Sequence, residues 1–184
     1  MKTKIFLAAF FILMSGASFS QETPEPAANV LQKAYRQAAK EKKNVFVIFH
    51  ASWCGWCKKM EASINDSTCS SYFQKSYVFV HLTVLERGDL KKTENPGADA
   101  MFKKYAGENA GIPFFLIFDK KGNLLADSQI RKEGDGLDKP GQNMGCPAAV
   151  EEVTAFIGIL KKTSKITDTE AAAVTERFKK NSGH

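Results

Sequence analysis

Five consecutive apolar residues, Val45-Phe46-Val47-Ile48-Phe49, run almost directly into two cysteines three positions apart, Cys54 and Cys57. An apolar run without polar alternation reads as a strand buried on both faces. Such a strand needs helices on both sides of its sheet, which points to an α/β architecture. Lys58 to Asn65 continues from the cysteines as a helix, so the pair falls at a strand-to-helix junction.

That junction gives the pair its chemistry. Unpartnered N–H groups and the positive end of the dipole meet at a helix start, and both favour thiolate over thiol at Cys54. Lowering a thiol pKa from about 8.5 to about 7 raises the thiolate share at neutral pH from a few per cent to about half. Cys57 lies one turn further along the same face. It is expected to be the deeper sulfur and within reach of the first. The spacing serves two steps: Cys54 attacks a substrate disulfide, then Cys57 attacks Cys54 and releases the reduced product. A zinc site would need two further ligands at a second paired spacing. Cys69 and Cys146 are single and far apart, so no metal is expected. A purely structural bridge would close so small a loop that it would constrain little of the unfolded chain.

The remaining elements follow from pattern. Ala27 to Lys43 reads as an amphipathic helix with Val30, Leu31, Ala34, Ala38 and Ala39 on one face. A short helix is expected over Cys69 to Lys75 and a second strand over Tyr77 to Leu85. Glu86 to Gly97, with Asn95-Pro96-Gly97, reads as a loop. A short helix over Ala98 to Tyr105 leads to Gly111-Ile112-Pro113 and a third strand, Phe114 to Phe118. Asp119-Lys120-Lys121-Gly122 turns the chain into a fourth strand, Asn123 to Ser128. Ile130 to Cys146 reads as a Gly-rich loop. Pro147 suits the first position of a helix running to about Lys162, and Asp168 to Lys180 reads as one more amphipathic helix. Strands joined by a helix are expected to pair in parallel with a right-handed crossover, and the late hairpin adds antiparallel strands.

The first twenty residues read as a leader. Lys2 and Lys4 precede the ten-residue apolar run Ile5 to Met14, and Ser15, Gly16, Ala17 and Ser18 follow. This is the form of a secretory signal peptide. Ser18 and Ser20 suit the positions before a cleavage site, which places the mature start at Gln21. A membrane anchor is the alternative, but the run is half of the ~20 residues needed to cross a bilayer. The expected organisation is a signal peptide over 1–20, a loose lead over 21–26, one domain over 27–163 and a helical extension over 164–184. The formal charge of +6 falls to +4 once Lys2 and Lys4 leave with the leader; this is mild, and the lysines are interspersed with acids, so no nucleic-acid surface is expected. Export would place all four cysteines where disulfides persist.

The segment from Val45 to Lys58, with Ala51-Ser52-Trp53-Cys54-Gly55-Trp56-Cys57-Lys58 at its end, resembles the thioredoxin superfamily. Gly111-Ile112-Pro113 matches its second hallmark, a cis-proline before a strand. The resemblance covers roughly residues 27–163 and is nearest to small exported thioredoxin-like proteins of bacteria. It implies a thioredoxin fold: a mixed sheet of four or five strands with helices on both faces. It implies Cys54 as the attacking thiol and Cys57 as the resolving one. Trp53 would pack under the site, and Gly55, Trp56, Ile112 and Pro113 would join it in meeting substrate. Where thioredoxin carries a buried Asp on the strand, this chain has Ile48, and His81 stands where thioredoxin has a Lys on the neighbouring strand. His81 could therefore take over proton transfer, or be a strand histidine without a role. His50 is read as packing. In this fold Cys69 and Cys146 lie on helices covering one face of the sheet, and they either pair or remain free thiols.

The resemblance further implies an extracytoplasmic, periplasmic thiol–disulfide oxidoreductase that acts as a monomer and uses no cofactor beyond its own dithiol. Its partners would be protein disulfides and an electron donor such as a membrane thiol relay. Reduction is the expected direction. An oxidase, an isomerase and a non-catalytic binding or chaperone module are the alternatives.

Overall fold

The structure is a computed structural model, and it describes residues 23–106 and 110–183. The expected leader over 1–20 and its cleavage before Gln21 lie outside these. Helix α1 (Ala27–Glu41) ends where Lys42 takes a left-handed conformation and its N–H donates to the Ala38 carbonyl. Strand β1 (Asn44–His50) follows, then α2 (Gly55–Ile64), α3 (Ser70–Ser76) and β2 (Tyr77–Thr83). The segment after β2, expected as loop, holds a short 3-10 turn over Gly88–Thr93. Helix α4 (Ala98–Ala106), strands β3 (Phe114–Phe118) and β4 (Leu124–Asp127), and helices α5 (Val150–Thr163) and α6 (Asp168–Lys179) complete the main frame.

The sheet has four strands in the order β2-β1-β3-β4. β1 and β2 are parallel, and β3 is antiparallel to both β1 and β4. This is the mixed sheet expected, a thioredoxin fold. Alternation along β1 builds two cores. Phe46 and Ile48 point to one side, where Met60, Phe73, Phe156 and Phe178 bring α2, α3, α5 and α6 against the sheet. Val45, Val47 and Phe49 point to the other, against Ala34 and Ala38 of α1 and Phe102 of α4. Each fully buried aromatic or branched side chain contributes about 1.5–3 kcal/mol over an exposed one, so the strand carrying the cysteines is fixed from both faces.

Two expectations are corrected. The 130–146 segment is not wholly loop, because Gln129–Ile130 (β5) and Gln142–Asn143 (β6) pair at its base. Arg131 closes it further with a two-point contact to the buried Asp127 carboxylate at 2.6 and 2.7 Å. Such polar pairings leave little trace in hydrophobic periodicity. Pro147 does not open α5, which starts at Val150. The Glu152 carboxylate reaches back to the N–H groups of Ala148 and Ala149, both at 3.0 Å, and this cap sets the start at Val150, beyond the proline.

Candidate active site

Cys54 is the residue that caps α2. Its backbone is extended, and its sulfur accepts the backbone N–H of Cys57 at 3.1 Å. A junction of buried strand and helix start places that sulfur where an N–H group and the dipole meet. Cys54 and Cys57 are joined as a disulfide. The Ile112 carbonyl lies 3.7 Å from the Cys54 sulfur. It belongs to the Ile112–Pro113 peptide, which is cis, and so the loop before β3 meets the end of β1 at the pair.

The pair is not arranged as expected in depth. Cys54 is 3% exposed and Cys57 7%, so Cys57 is not the more enclosed residue. Ala51 and Ile112 pack over Cys54. Cys57 instead borders a cavity of about 540 Å³ between α2 and the β1–β2 edge. Its other walls include Ile48, His50, Glu61 and His81. The register of the parallel strands explains the grouping: Ile48 lies beside His81, two pairs before His50 and so on the same face of the sheet, and Glu61 is one turn beyond Cys57.

His81 and Glu61 are hydrogen-bonded in the lining of that cavity, Nε2 to Oε2 at 2.7 Å. The hydrogen bond from His81, more than any other influence, holds the Glu61 carboxyl below its ordinary range. Burial pushes the His50 imidazole in the direction of the neutral form, and the neighbouring His81 adds to this. The two rings meet edge to face with centroids 5.6 Å apart. His50 packs against His81 and also forms a wall of the cavity on which Cys57 opens.

The two tryptophans lie at the surface. Trp53 is 43% exposed and Trp56 46%. Trp53 therefore does not pack under the site. Its Nε1–H donates to the Leu85 carbonyl at 2.8 Å, and the Arg87 guanidinium lies 4.2 Å from its ring centre. Lys59 covers Trp56 at 4.4 Å. Gly55, the first residue of α2, has open space where a side chain would be.

Cys69 and Cys146 are both buried free thiols, so the bridge that the sequence left open is not formed. Each sulfur has other company. The Cys69 S–H donates to the Ser63 carbonyl at 3.2 Å, and the Cys146 sulfur accepts from the Asn181 amide at 3.4 Å. Burial pushes the Cys146 thiol up to about 12 and raises that of Cys69 as well. Among the described residues no group of three or more His, Cys, Asp or Glu could hold a metal ion.

Three further residues bear on the site: Asn143, Glu61 and Glu86, whose carboxylate holds Ser52. Asn143 donates from its amide to the Gly111 carbonyl at 2.8 Å and the Pro113 carbonyl at 3.1 Å, fastening the end of the long loop beside the pair. Glu61 has a detectable signal, an acid four residues past Cys57 and so on the same helical face. Glu86 stands in a charged loop and gives no such signal.

A thioredoxin-like family model matches residues 27–120. The chain belongs to the thioredoxin-like family. It is also 30% identical, over 120 residues, to a Chlamydia pneumoniae protein named disulfide bond reductase DsbH, covering 61% of this chain and 70% of that one. Similar solved structures include a disulphide isomerase from Xylella fastidiosa Temecula1, 18% identical with a TM-score of 0.44 over 55% of this chain and 72% of that chain. Another is a DsbH oxidoreductase, 17% identical with a TM-score of 0.44 over 84% of this chain and 95% of that chain. As a thioredoxin-like protein the chain is a thiol–disulfide oxidoreductase. Its redox group is the Cys54–Cys57 pair, and the family's chemistry uses no cofactor.

Proposed function

We propose that this thioredoxin-like protein reduces disulfides of other proteins outside the cytoplasm, in the periplasm of a bacterial cell. The observation that carries the reading is the Cys54 sulfur at the cap of α2, accepting the Cys57 N–H beneath the Ile112 carbonyl. Reduced Cys54, as thiolate, attacks one sulfur of a substrate disulfide. One substrate sulfur leaves as thiolate, and the other is held in a mixed disulfide. Cys57 loses its proton and attacks Cys54, which releases the second substrate sulfur and forms the Cys54–Cys57 disulfide. The substrate gains two electrons and the protein gives up two. A donor dithiol, such as a membrane thiol relay, must restore the pair.

The exposed rings of Trp53 and Trp56, with Gly55, Ile112 and Pro113, form the face that a substrate segment would meet. His81 takes the Cys57 proton on the far side, because it lines the same cavity as Cys57 and is held there by Glu61. The direction of reaction is supported by the name of the Chlamydia relative, a disulfide bond reductase. Export is supported by Lys2, Lys4 and the apolar run that follows them.

Equilibration of the pair with glutathione, beside an insulin-reduction assay driven by dithiothreitol, tests the reading. A reductase gives insulin turnover and a potential nearer thioredoxin's, about −270 mV, than the about −120 mV of a strong oxidant. A value near the latter turns the assignment to an oxidase. No turnover at all turns it to a binding module.

A further inference from the structure

Glu86 is a buried carboxylate, 4% exposed, whose two oxygens both serve one residue. One accepts the Ser52 backbone N–H at 2.6 Å and the other the Ser52 hydroxyl at 2.8 Å. Ser52 stands two positions before Cys54. The neighbours of Glu86 hold the same turn: the Val84 N–H donates to the His50 carbonyl at 2.9 Å, and Leu85 and Arg87 hold Trp53. The segment 84–87 is itself shaped for this. Leu85 adopts a left-handed φ of 55°, and the Glu86 N–H is fixed by the Glu94 carboxylate at 2.7 Å. A side chain in that backbone region is strained and persists where surrounding contacts over-determine it.

We propose that Glu86 is a positioning residue of the dithiol site. It fixes the turn that presents Cys54, and its buried negative charge biases the pair toward the disulfide. The inference rests on reading Cys54–Cys57 as an exchanging pair. The physical basis is the charge difference between redox states. The disulfide is neutral, whereas reduction places a thiolate at Cys54; Cys54 and Glu86 are both buried at one turn, and like charges placed so repel. Glu86 thus opposes the helix start, which favours the thiolate. A pair biased toward disulfide is the stronger electron donor.

Glu86→Gln separates charge from position. The amide can still accept the Ser52 N–H and donate to the Ser52 hydroxyl, so the turn is kept and the charge is removed. Ser52→Ala does the reverse: it gives up the hydroxyl contact and keeps both the charge and the backbone bond. Wild type and both variants are equilibrated against glutathione. The dithiol to disulfide ratio is then read by alkylation and mass, with circular dichroism reporting the fold. Glu86→Gln is expected to shift the equilibrium more than twofold toward the dithiol while remaining folded, and Ser52→Ala to stay within twofold of wild type. A Glu86→Gln protein within twofold of wild type overturns the inference. So does a Ser52→Ala shift as large as that of Glu86→Gln, which would make loosening of the turn the cause. A Glu86→Gln protein that does not fold overturns it too, since the carboxylate would then hold the fold. If wild type equilibrates with glutathione yet leaves insulin intact, the reductase reading fails and the Glu86 result still stands.

Discussion

The backbone N–H of Cys57 points at the sulfur of Cys54, 3.1 Å away, inside the first turn of the helix that both residues open. The same donor can serve a disulfide sulfur or a thiolate, and it serves the thiolate better because hydrogen bonds to ionised acceptors are roughly twice as strong. Cys54 gains from it and Cys57 does not. Charge, rather than exposure, sets the two cysteines apart.

Cys54 is accordingly expected to be the attacking thiol although neither residue is open to solvent in the oxidised protein. Cys57→Ser should accumulate mixed disulfides with a scrambled-protein substrate, and Cys54→Ser should form none and lose insulin reduction entirely. Limiting iodoacetamide at neutral pH should label Cys54 of the reduced wild type first. Preferential label on Cys57 would reverse the roles.

His81→Ala should slow the second step rather than the first. Mixed disulfide from rapid mixing should decay about a hundredfold more slowly or worse, within the range for loss of a general base, while its formation keeps the wild-type rate. Glu61→Gln, which removes the carboxylate partner of His81, should slow the same step less. If His81→Ala instead slows formation, the histidine acts on Cys54 or on folding. The Glu61 carboxyl is held low by His81, so its part in stability is present above its ordinary range and lost as pH falls through the lowered value. The pair is partly exposed, and the loss should be small.

Cys146 should be silent to thiol reagents at pH 8 in the folded protein and should react once urea unfolds it. Its thiol is pushed by burial from an ordinary 9.0 up to about 12. The folded state therefore keeps a proton that the unfolded chain releases. Stability from this group is intact below pH 9 and is lost as pH rises toward 12, with a limiting slope of about 1.4 kcal/mol per pH unit. Urea melts of wild type and Cys146→Ala across that interval should diverge, the variant showing the flatter alkaline decline. Parallel curves would mean that the thiol is not protected by burial.

Asn181 should matter for stability well beyond its size. Its amide donates to the Ser63 hydroxyl, the Pro147 carbonyl and the Cys146 sulfur, each within 3.4 Å. Asn181→Ala leaves buried acceptors without a donor, at a cost of about 1–3 kcal/mol, readable as a lower urea midpoint with unchanged slope. Insulin reduction at low denaturant should remain, because none of these contacts touches Cys54. An unchanged midpoint would mean that the end of the chain is not fastened there.

Much of this architecture was legible in one dimension because it rests on local rules. An unbroken apolar run announces β1, a Gly at the turn after Asp119 announces the hairpin, and a cysteine pair at a strand-to-helix junction announces exchange chemistry. The start of α5 went astray for a local reason as well, since Glu152 outbids Pro147 as the cap. The contacts that shape the site belong to a different class. Glu86 reaches Ser52 across 34 positions, Asn143 reaches Pro113 across 30, and His81 reaches Glu61 across 20. No periodicity encodes them.

The sequence by itself determined the sheet, its two-sided core and the pair that does the chemistry, because burial pattern and helix-start electrostatics act between near neighbours in the chain. Tertiary structure alone decided that Cys69 and Cys146 stay apart, that Cys57 borders the cavity it shares with His81, and that a carboxylate is buried behind the turn presenting Cys54. These depend on the register of β1 against β2 and on where loops return to the sheet. Such relations are settled only when the whole core packs, and a shift of one residue in that register would turn His81 to the opposite face.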